Sequence, residues 1–544
     1  MKAPAVKPVT SFKVLVIDDQ QQMRQIIRES LYRLGIRNVV MAGNAREAMK
    51  AMRDENVDVV RSDYNRGEGT DGQQLLEAAR GGNILSPVAP WIFITANSLR
   101  TDVLAAGDYI PDGYIVKPFA DQLLCRTIET LAARKAALAP LLYAIDAKKW
   151  DEVLSVAEGF VQRRDALSVE GIKQKAGALM KLGRFEEALA AYTQALALNS
   201  ELPWARLGRA HALRAGGKTD EARSTLEALI EAQPDYASAY DALLEIAEEQ
   251  GDEDAALATA RAVAELVPNA KRKIRLGTVA LDTGHSDVAV KALEQAVAKN
   301  KGSVTRSHHE NVLLAQALLD NGDPRKALAV GIDVAKQYPE QPVAQMLSKA
   351  VCAQAHQRTG NEKEAASLMA DVERTIAQTP LADSHKLLIA KSALATGRLA
   401  VGQALIESVA RNNSDRPMVM AAALRAAQGT AVEGACQDII ARAGSEVQQA
   451  LRDLHHAKRE GDFARAIEVG EVALALSPEN FSVQIELCTL YLVAMGRLGQ
   501  TQEHALRARD LLAALDERQP NHPRVAAARK FYRERLSDAA VVPA

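Results

Sequence analysis

The sequence predicts two folding units of different class: an α/β doubly wound five-stranded parallel sheet, followed by an all-α solenoid. The chain has 544 residues, several times the length of a usual domain. Up to about residue 120, short apolar runs alternate with amphipathic stretches, as strands and helices do in a doubly wound sheet. Beyond about residue 140 the strand pattern ends and a helical repeat begins. These periodicities predict a sheet unit at residues 11–138 and a helical array at residues 139–540.

The predicted strands are five short apolar runs. The first, Lys13–Ile17, is apolar at every position after the lysine, which is typical of a strand buried on both faces of a parallel sheet. The other four runs are Val39–Met41, Val57–Ser62, Trp91–Thr95 and Tyr114–Val116. Amphipathic segments predict helices at Gln20–Leu34, Ala45–Arg53, Gln73–Ala79 and Ala120–Leu138. Sheets of this kind carry their functional sites at the carboxyl ends of the strands.

The array is predicted from glycines that recur at nearly constant intervals. Gly183, Gly217 and Gly251 are 34 residues apart and Gly284 follows 33 residues later, each with an alanine five residues further on. The glycine ends one helix, the alanine lets the next helix approach closely, and a proline stops that helix. This pattern resembles the tetratricopeptide repeat, a hairpin of two helices. We expect roughly nine or ten hairpins, with the clearest units at 169–302 and irregular ones around 370–450.

Composition and charge argue against several classes of protein. The formal net charge is −2, which gives no basis for a surface that binds nucleic acid or an anionic membrane. No stretch approaches the roughly 18 apolar residues that a membrane span needs, and the N-terminus has no apolar run typical of a signal peptide. The four cysteines are scattered without a CxxC pair, which argues against disulfides and zinc. The sequence predicts a cytoplasmic protein that binds neither nucleic acid nor membrane.

Charged and hydroxyl side chains follow the predicted strands. Asp18 and Asp19 follow the first strand, Asp63 the third, Thr95 ends the fourth, and Lys117 follows the fifth. These strand ends converge on one cleft, where three carboxylates repel each other unless a cation lies among them. Mg²⁺ suits carboxylate and phosphate oxygens, and a lysine with a hydroxyl donor can stabilise a phosphoryl group on a carboxylate. Taken singly, the aspartates and the threonine are also suitable helix caps, and the lysine a solvated surface residue.

These five positions, in this order on these strands, resemble the receiver domain of two-component response regulators. The likeness covers about residues 11 to 135. It implies that Asp63 is the phosphoacceptor and that Lys117 and Thr95 are the catalytic side chains around it. It also implies that Thr95 and Tyr114 are the switch residues, and that the peptide bond between Lys117 and Pro118 is cis.

The resemblance further implies a Mg²⁺ cofactor. Asp19 and Asp63 would bind the metal directly, and Asn65 would contribute its backbone carbonyl. Asp18 would hold a metal-bound water. Oxygen ligands of this kind fit a hard divalent cation.

Two features depart from the receiver pattern. Arg61 and Ser62 stand where the third strand should be apolar, just before Asp63, and the loop of residues 65–72 is longer than usual and lacks the customary proline. We expect these features to change the metal affinity or the lifetime of the phosphoryl group. Neither removes a catalytic side chain, so phosphorylation is still predicted.

The favoured interpretation is a response regulator without a DNA-binding output, which is not an enzyme with an external substrate. A sensor histidine kinase or a phosphotransfer protein donates a phosphoryl group to Asp63, and the surface near the last strand and helix changes. The predicted helix Ala120–Leu138 runs straight towards the array at Pro140. Its shift would change how the array binds a partner protein, whose identity the sequence leaves open.

Two alternatives are open from the sequence. The first is a phosphotransfer competitor or inhibitor, whose array binds the kinase or another response regulator. The second is a static scaffold with a degenerate receiver, against which the complete set of side chains argues. The sense of the control and the oligomeric state are also open at this stage.

Overall fold

The computed structural model describes residues 7–63, 72–95, 110–163, 165, 167–301, 306–495, 501–518 and 522–539. In these ranges the chain forms a five-stranded parallel sheet with helices, followed by an all-α array. The predicted fold class is therefore confirmed. Within the same ranges, no helix combines the length and the apolar character needed to cross a membrane.

The sheet has the strand order β2-β1-β3-β4-β5, and every pairing is parallel. Its strands are β1 (Lys13–Ile17), β2 (Asn38–Ala42), β3 (Val59–Asp63), β4 (Trp91–Thr95) and β5 (Gly113–Val116). Val14 to Ile17 of β1 are completely buried, as expected for a strand covered on both faces. Since β1 and β3 are neighbours in the sheet, Asp18 and Asp63 stand at adjacent strand ends.

Helices cover both faces of the sheet. They are α1 (Gln21–Arg33), α2 (Ala45–Asp54), α3 (Gly72–Gly81) and α4 (Asp121–Ala137). The core on one face joins Leu15 of β1 to the helices α2 and α3, and the core on the other face joins Val16 to α1 and α4. The third strand differs from the prediction, because it runs to Asp63 itself and begins only at Val59. Just before the strand, the amide of Asp58 donates a hydrogen bond to the carbonyl of Lys13, and the Asp58 carboxylate accepts one from the amide of Lys13.

The array is a succession of paired helices. They are α5 (Ala139–Asp146), α6 (Trp150–Gln162), α7 (Ser168–Lys181), α8 (Phe185–Leu198), α9 (Pro203–Ala215), α10 (Thr219–Ala232), α11 (Ala237–Gln250), α12 (Glu253–Leu266), α13 (Ala270–Asp282), α14 (Ser286–Lys299), α15 (His309–Asp320), α16 (Pro324–Gln337), α17 (Pro342–Arg358), α18 (Glu362–Ile376), α19 (Asp383–Ala395), α20 (Leu399–Asn412), α21 (Pro417–Ala427), α22 (Glu433–Glu460), α23 (Phe463–Leu476), α24 (Phe481–Met495), α25 (Thr501–Arg518) and α26 (Pro523–Ala539). In the described ranges these helices pair into ten hairpins, with α21 inserted before α22 and α26 at the end.

The recurring glycine is the turn between the two helices of a hairpin. Gly251 ends α11 with a φ of +72°, in the left-handed region that favours glycine. The next amide, that of Asp252, bonds to the carbonyl of Ala247 and so closes the end of the helix. The alanine five residues after the glycine, Ala256, is completely buried between helices. The roles that the sequence assigns to the glycine and the alanine of the repeat therefore match the local geometry.

The junction between the two units is a break between two helices. The helix that the sequence predicts at Ala120–Leu138 is α4, which ends at Ala137, and α5 begins at Ala139. Proline has no amide hydrogen, so Pro140 cannot donate to the carbonyl four residues earlier and the helix cannot continue unbroken. The sheet unit is thus joined to the array through a break in the helix at Leu138.

The irregular part of the array, around α21, contacts helices that lie much earlier in the chain. Helix α21 packs against α11 and α13, which lie five and four hairpins earlier in the chain. There Arg425 makes a two-pronged ion pair with Glu253, with nitrogen–oxygen distances of 2.7 and 3.0 Å. Helix α26 in turn packs against α7. The array therefore closes on itself, which a simple open stack of hairpins would not do.

The sheet unit contacts the array on two sides. Arg134 of α4 lies 2.8 Å from the carboxylate of Glu170 in α7. Gln74 of α3 donates a hydrogen bond of 3.2 Å to Asn300, which follows α14. These two array positions lie about four hairpins apart, so a displacement of the sheet unit bears on two separate parts of the array.

Two helical glycines allow a direct test of hairpin packing. At Gly208 of α9, an added Cβ would lie 2.8 Å from Cδ1 of the buried Tyr192 and closer still to two other ring carbons. At Gly177 of α7, an added Cβ would meet nothing within 4 Å. We expect Gly208→Ala to lower the free energy of unfolding by about 1–3 kcal/mol through overpacking.

The matched Gly177→Ala variant should instead raise the free energy of unfolding by about 0.5–1 kcal/mol, because alanine favours the helix. Urea unfolding followed by circular dichroism measures both. Equal effects of the two substitutions would contradict the close contact between α8 and α9.

Candidate functional site

The predicted site residues lie at the carboxyl edge of the sheet. Asp18 directly follows β1, Asp63 is the last residue of β3, Thr95 is the last residue of β4, and Lys117 directly follows β5. The strand order places β3 between β1 and β4, so three of these positions stand on neighbouring strands. The fourth, Lys117, reaches across from the edge strand. Parallel strands of this kind present one shared cleft at this edge.

The closest contact in the cleft is an ion pair. Lys117 Nζ lies 2.7 Å from Asp63 Oδ2 and 3.8 Å from Asp18 Oδ2. Asp63 is buried, and the lysine is partly exposed. The peptide bond between Lys117 and Pro118 is cis. The ammonium group thus lies where it would meet negative charge that develops on a group attached to Asp63.

A second cation, Arg61, lies beneath the cleft. Arg61 is completely buried and donates hydrogen bonds from Nη1 to Asp18 Oδ2 at 2.9 Å and to the carbonyl of Ile17 at 3.2 Å. Its Nε and Nη2 find no partner within the described part of the chain. Burial lowers the pKa of the guanidinium, and the adjacent Asp18 carboxylate opposes that lowering. An arginine stays charged even so, which makes this a buried ion pair.

Sequence reasoning marked Arg61 as a departure from the receiver pattern but missed its partner. The strand periodicity places Arg61 on the same face of the sheet as Asp63, because the two are two residues apart, but it does not identify Asp18 as the partner. Arg61 also pairs in register with Val16, two residues before Asp18. An arginine buried on that face lies close to the acidic edge, where it pairs with Asp18.

The remaining predicted residues are placed as follows. Asp19 is exposed beside Asp18, and Thr95 is buried. Tyr114, in β5, packs its ring 6.1 Å from that of Phe93, which precedes Thr95 by two residues. The predicted metal contact of Asn65 lies outside the described residues. The switch roles of Thr95 and Tyr114 stay predictions.

The acidic edge suits a hard cation in part. Asp63 has one carboxylate oxygen that accepts no hydrogen bond from any described residue, and Asp19 faces solvent. Each oxygen of Asp18 already accepts one hydrogen bond, Oδ2 from Arg61 and Oδ1 from the backbone amide of Gln20 at 3.1 Å. Within the described ranges no three His, Cys, Asp or Glu side chains form a ready metal site. The available oxygen of Asp63 and the exposed carboxylate of Asp19 are ligands of the kind that Mg²⁺ prefers, whereas Asp18 is paired with Arg61. The direct binding of Mg²⁺ by Asp19 and Asp63 stays a prediction.

Family comparisons assign both units. Residues 14–129 match the family described as the response regulator receiver domain. Residues 179–246 and 274–342 match two families described as tetratricopeptide repeats. A receiver implies a phosphoacceptor, and tetratricopeptide repeats imply binding of other proteins.

Individual proteins resemble the two units separately. The chemotaxis protein CheY of Pseudomonas aeruginosa is 34% identical over 122 residues, which cover 22% of this chain and 97% of CheY. The chemotaxis protein CheY1 of Helicobacter pylori strain J99 is 36% identical over 121 residues, 22% of this chain and 95% of that protein. A solved tetratricopeptide repeat protein from Parabacteroides merdae covers 46% of this chain and 95% of its own, at 13% identity and a TM-score of 0.30.

Proposed function

Since this chain belongs to the response regulator receiver family, we propose that it accepts a phosphoryl group on Asp63 and thereby changes the protein interactions of its tetratricopeptide array. The observation that carries the proposal is the contact of 2.7 Å between Lys117 and the Asp63 carboxylate at the carboxyl edge of the sheet. The donor is a sensor histidine kinase or a phosphotransfer protein. The output is a protein contact, with no DNA-binding step and no external substrate.

The geometry supports this chemistry in a direct way. A carboxylate oxygen of Asp63 attacks the phosphorus of a phosphohistidine, the phosphorus–nitrogen bond breaks, and an acyl phosphate forms. The attack moves negative charge onto the phosphoryl oxygens, next to Lys117 and the buried hydroxyl of Thr95. Donors that are already in position stabilise such charge most effectively.

Mg²⁺ has a defined place in this proposal. Receiver domains in general bind this ion beside the phosphoacceptor. Here Asp19 and Asp63 would hold it, with Asp18 behind them through a water and the backbone carbonyl of Asn65 as a further oxygen. When bound, the ion supplies positive charge to the phosphoryl oxygens.

The two contacts between the units support an output through the array. Helix α3 starts at Gly72, nine residues after Asp63 in the chain, and carries the contact of Gln74 with Asn300. Helix α4 follows Lys117 and carries the contact of Arg134 with Glu170. A change at the phosphoacceptor therefore has two short routes to the array. Helical arrays bind their partners on extended surfaces, which such a shift would reshape.

Phosphorylation is tested by incubating the purified full-length protein with MgCl₂ and acetyl phosphate and measuring its intact mass. We expect one phosphoryl adduct in Mg²⁺ and little or none when EDTA removes the ion, because the phosphoryl oxygens then lose their cation. No adduct at any Mg²⁺ concentration would contradict the phosphoacceptor role and favour a static scaffold.

Coupling to the array is tested separately by hydrogen–deuterium exchange on the same sample. We expect exchange to change upon phosphorylation in α7 and around Asn300, the two array segments that contact the sheet unit. A full adduct with unchanged exchange throughout the array would support Asp63 as the phosphoacceptor and contradict the proposed switch. Phosphorylation can shift the array only between states that it stabilises to different extents.

A further inference from the structure

The chain carries a buried cation at a site proposed to bind another cation. Asp18, Asp19 and Asp63 bring three carboxylates to the acidic edge. Arg61 and Lys117 form ion pairs with these carboxylates, and Arg24 adds a third positive charge through hydrogen bonds to the backbone carbonyls of Asp18 and Asp19. Without Arg61 the same group would have one more net negative charge. Both side chains of the Arg61–Asp18 pair are 1% exposed, so water screens their charges weakly.

Arg61 also forms a hydrogen bond to a carboxylate, Asp18, that would otherwise be available to the metal site. Asp18 Oδ2 accepts its hydrogen bond from Arg61 at 2.9 Å, and Oδ1 accepts from the amide of Gln20. Each oxygen of Asp18 therefore already accepts one hydrogen bond, which fixes the carboxylate and leaves it fewer lone pairs for a metal-bound water. Among the residues that the structure describes, only Lys117 forms an ion pair with Asp63.

We propose that Arg61 acts as a built-in counter-ion that weakens Mg²⁺ binding at Asp19 and Asp63, so that this receiver is loaded with metal only at high Mg²⁺ concentration. The inference rests on the proposed Mg²⁺ site at the phosphoacceptor. The fixed guanidinium repels a divalent ion, and its hydrogen bond to Asp18 competes with a metal-bound water for that carboxylate. Arg61 is thus a residue that sets metal affinity without touching the metal.

The test is Mg²⁺ titration of the full-length protein by calorimetry, without any phosphodonor. We expect Arg61→Met to bind Mg²⁺ at least about tenfold more tightly than the wild type, because a repulsive charge is lost and Asp18 is released. Arg61→Gln, which keeps a donor for Asp18 without the charge, should also bind more tightly. The charge-retaining Arg61→Lys and the exposed-site control Arg46→Met should bind as the wild type does.

Unchanged or weaker binding by both neutral variants would overturn the proposal, the second result meaning that Arg61 positions Asp18 for the metal. If the neutral variants fold poorly because Asp18 has lost its partner, Mg²⁺ at millimolar concentration should restore their circular dichroism. Failure of Mg²⁺ to restore it would overturn the proposal as well. Phosphorylation of the wild-type protein in saturating Mg²⁺ is measured in parallel by mass. An adduct on Asp63 together with unchanged Mg²⁺ affinity in the variants would overturn the role of Arg61 alone, whereas a missing adduct would contradict the proposed function.

Discussion

The Asp63→Asn variant is expected to take up no phosphoryl group from acetyl phosphate in Mg²⁺, whereas the wild-type protein becomes labelled. The amide oxygen of asparagine carries no negative charge to attack phosphorus, and it removes a charged ligand from the Mg²⁺ site. Asparagine has nearly the shape of aspartate, so the strand end should keep its structure. Intact-mass measurement after incubation reads the result directly.

The matched control is Asp54→Asn, the same substitution at an exposed position of α2. It should be labelled to the same extent as the wild type. A full adduct on Asp63→Asn would place the phosphoryl group on another residue and would overturn the assignment of Asp63.

The Lys117→Met variant should be phosphorylated at least about 100-fold more slowly than the wild type. Removal of one positioned donor from a site where charge develops costs this much in comparable acyl-transfer sites. Lys117 lies 2.7 Å from Asp63, and Thr95 is the only other predicted catalytic group, so little else compensates for its loss. The initial rate of adduct formation at saturating Mg²⁺ measures the effect.

Loss of the ammonium group also removes a positive charge that competes for Asp63. We therefore expect Lys117→Met to bind Mg²⁺ at least as tightly as the wild type while it reacts slowly. That combination separates a catalytic role from simple unfolding. Lys50→Met, at an exposed position of α2, should react at the wild-type rate; a rate for Lys117→Met equal to that of this control would reject the catalytic role.

Most of the candidate site was predictable because its residues follow short, strongly apolar strands. β1 and β4 have the predicted bounds, and the other strand ends are shifted by only one or two residues. The order of the five strands in space placed Asp63 beside Asp18 and brought Lys117 to it. The sequence predicts which residues stand at the strand ends, and the strand order of the sheet sets the distances between their side chains.

The partner of Arg61 could not be predicted in the same way. A lone arginine in a strand normally indicates an edge or a solvent-facing position, because burying an unpaired charge is costly. Only the register of β1 against β3 shows that Asp18 is within reach of its guanidinium. Arg61, which departs from the receiver pattern in the sequence, forms a buried ion pair with Asp18 in the fold.

The sequence by itself determines the local elements: the strands, the hairpins and the glycine turns such as Gly251. Each of these depends on apolar periodicity and backbone preference within about one repeat, which the residues carry with them. Only the tertiary structure decides that α21 returns to α11 and α13, that Arg425 meets Glu253 172 residues away, and that Gln74 meets Asn300 226 residues away. Those contacts depend on the curvature that accumulates over many hairpins, because small rotations between neighbours add up along the array.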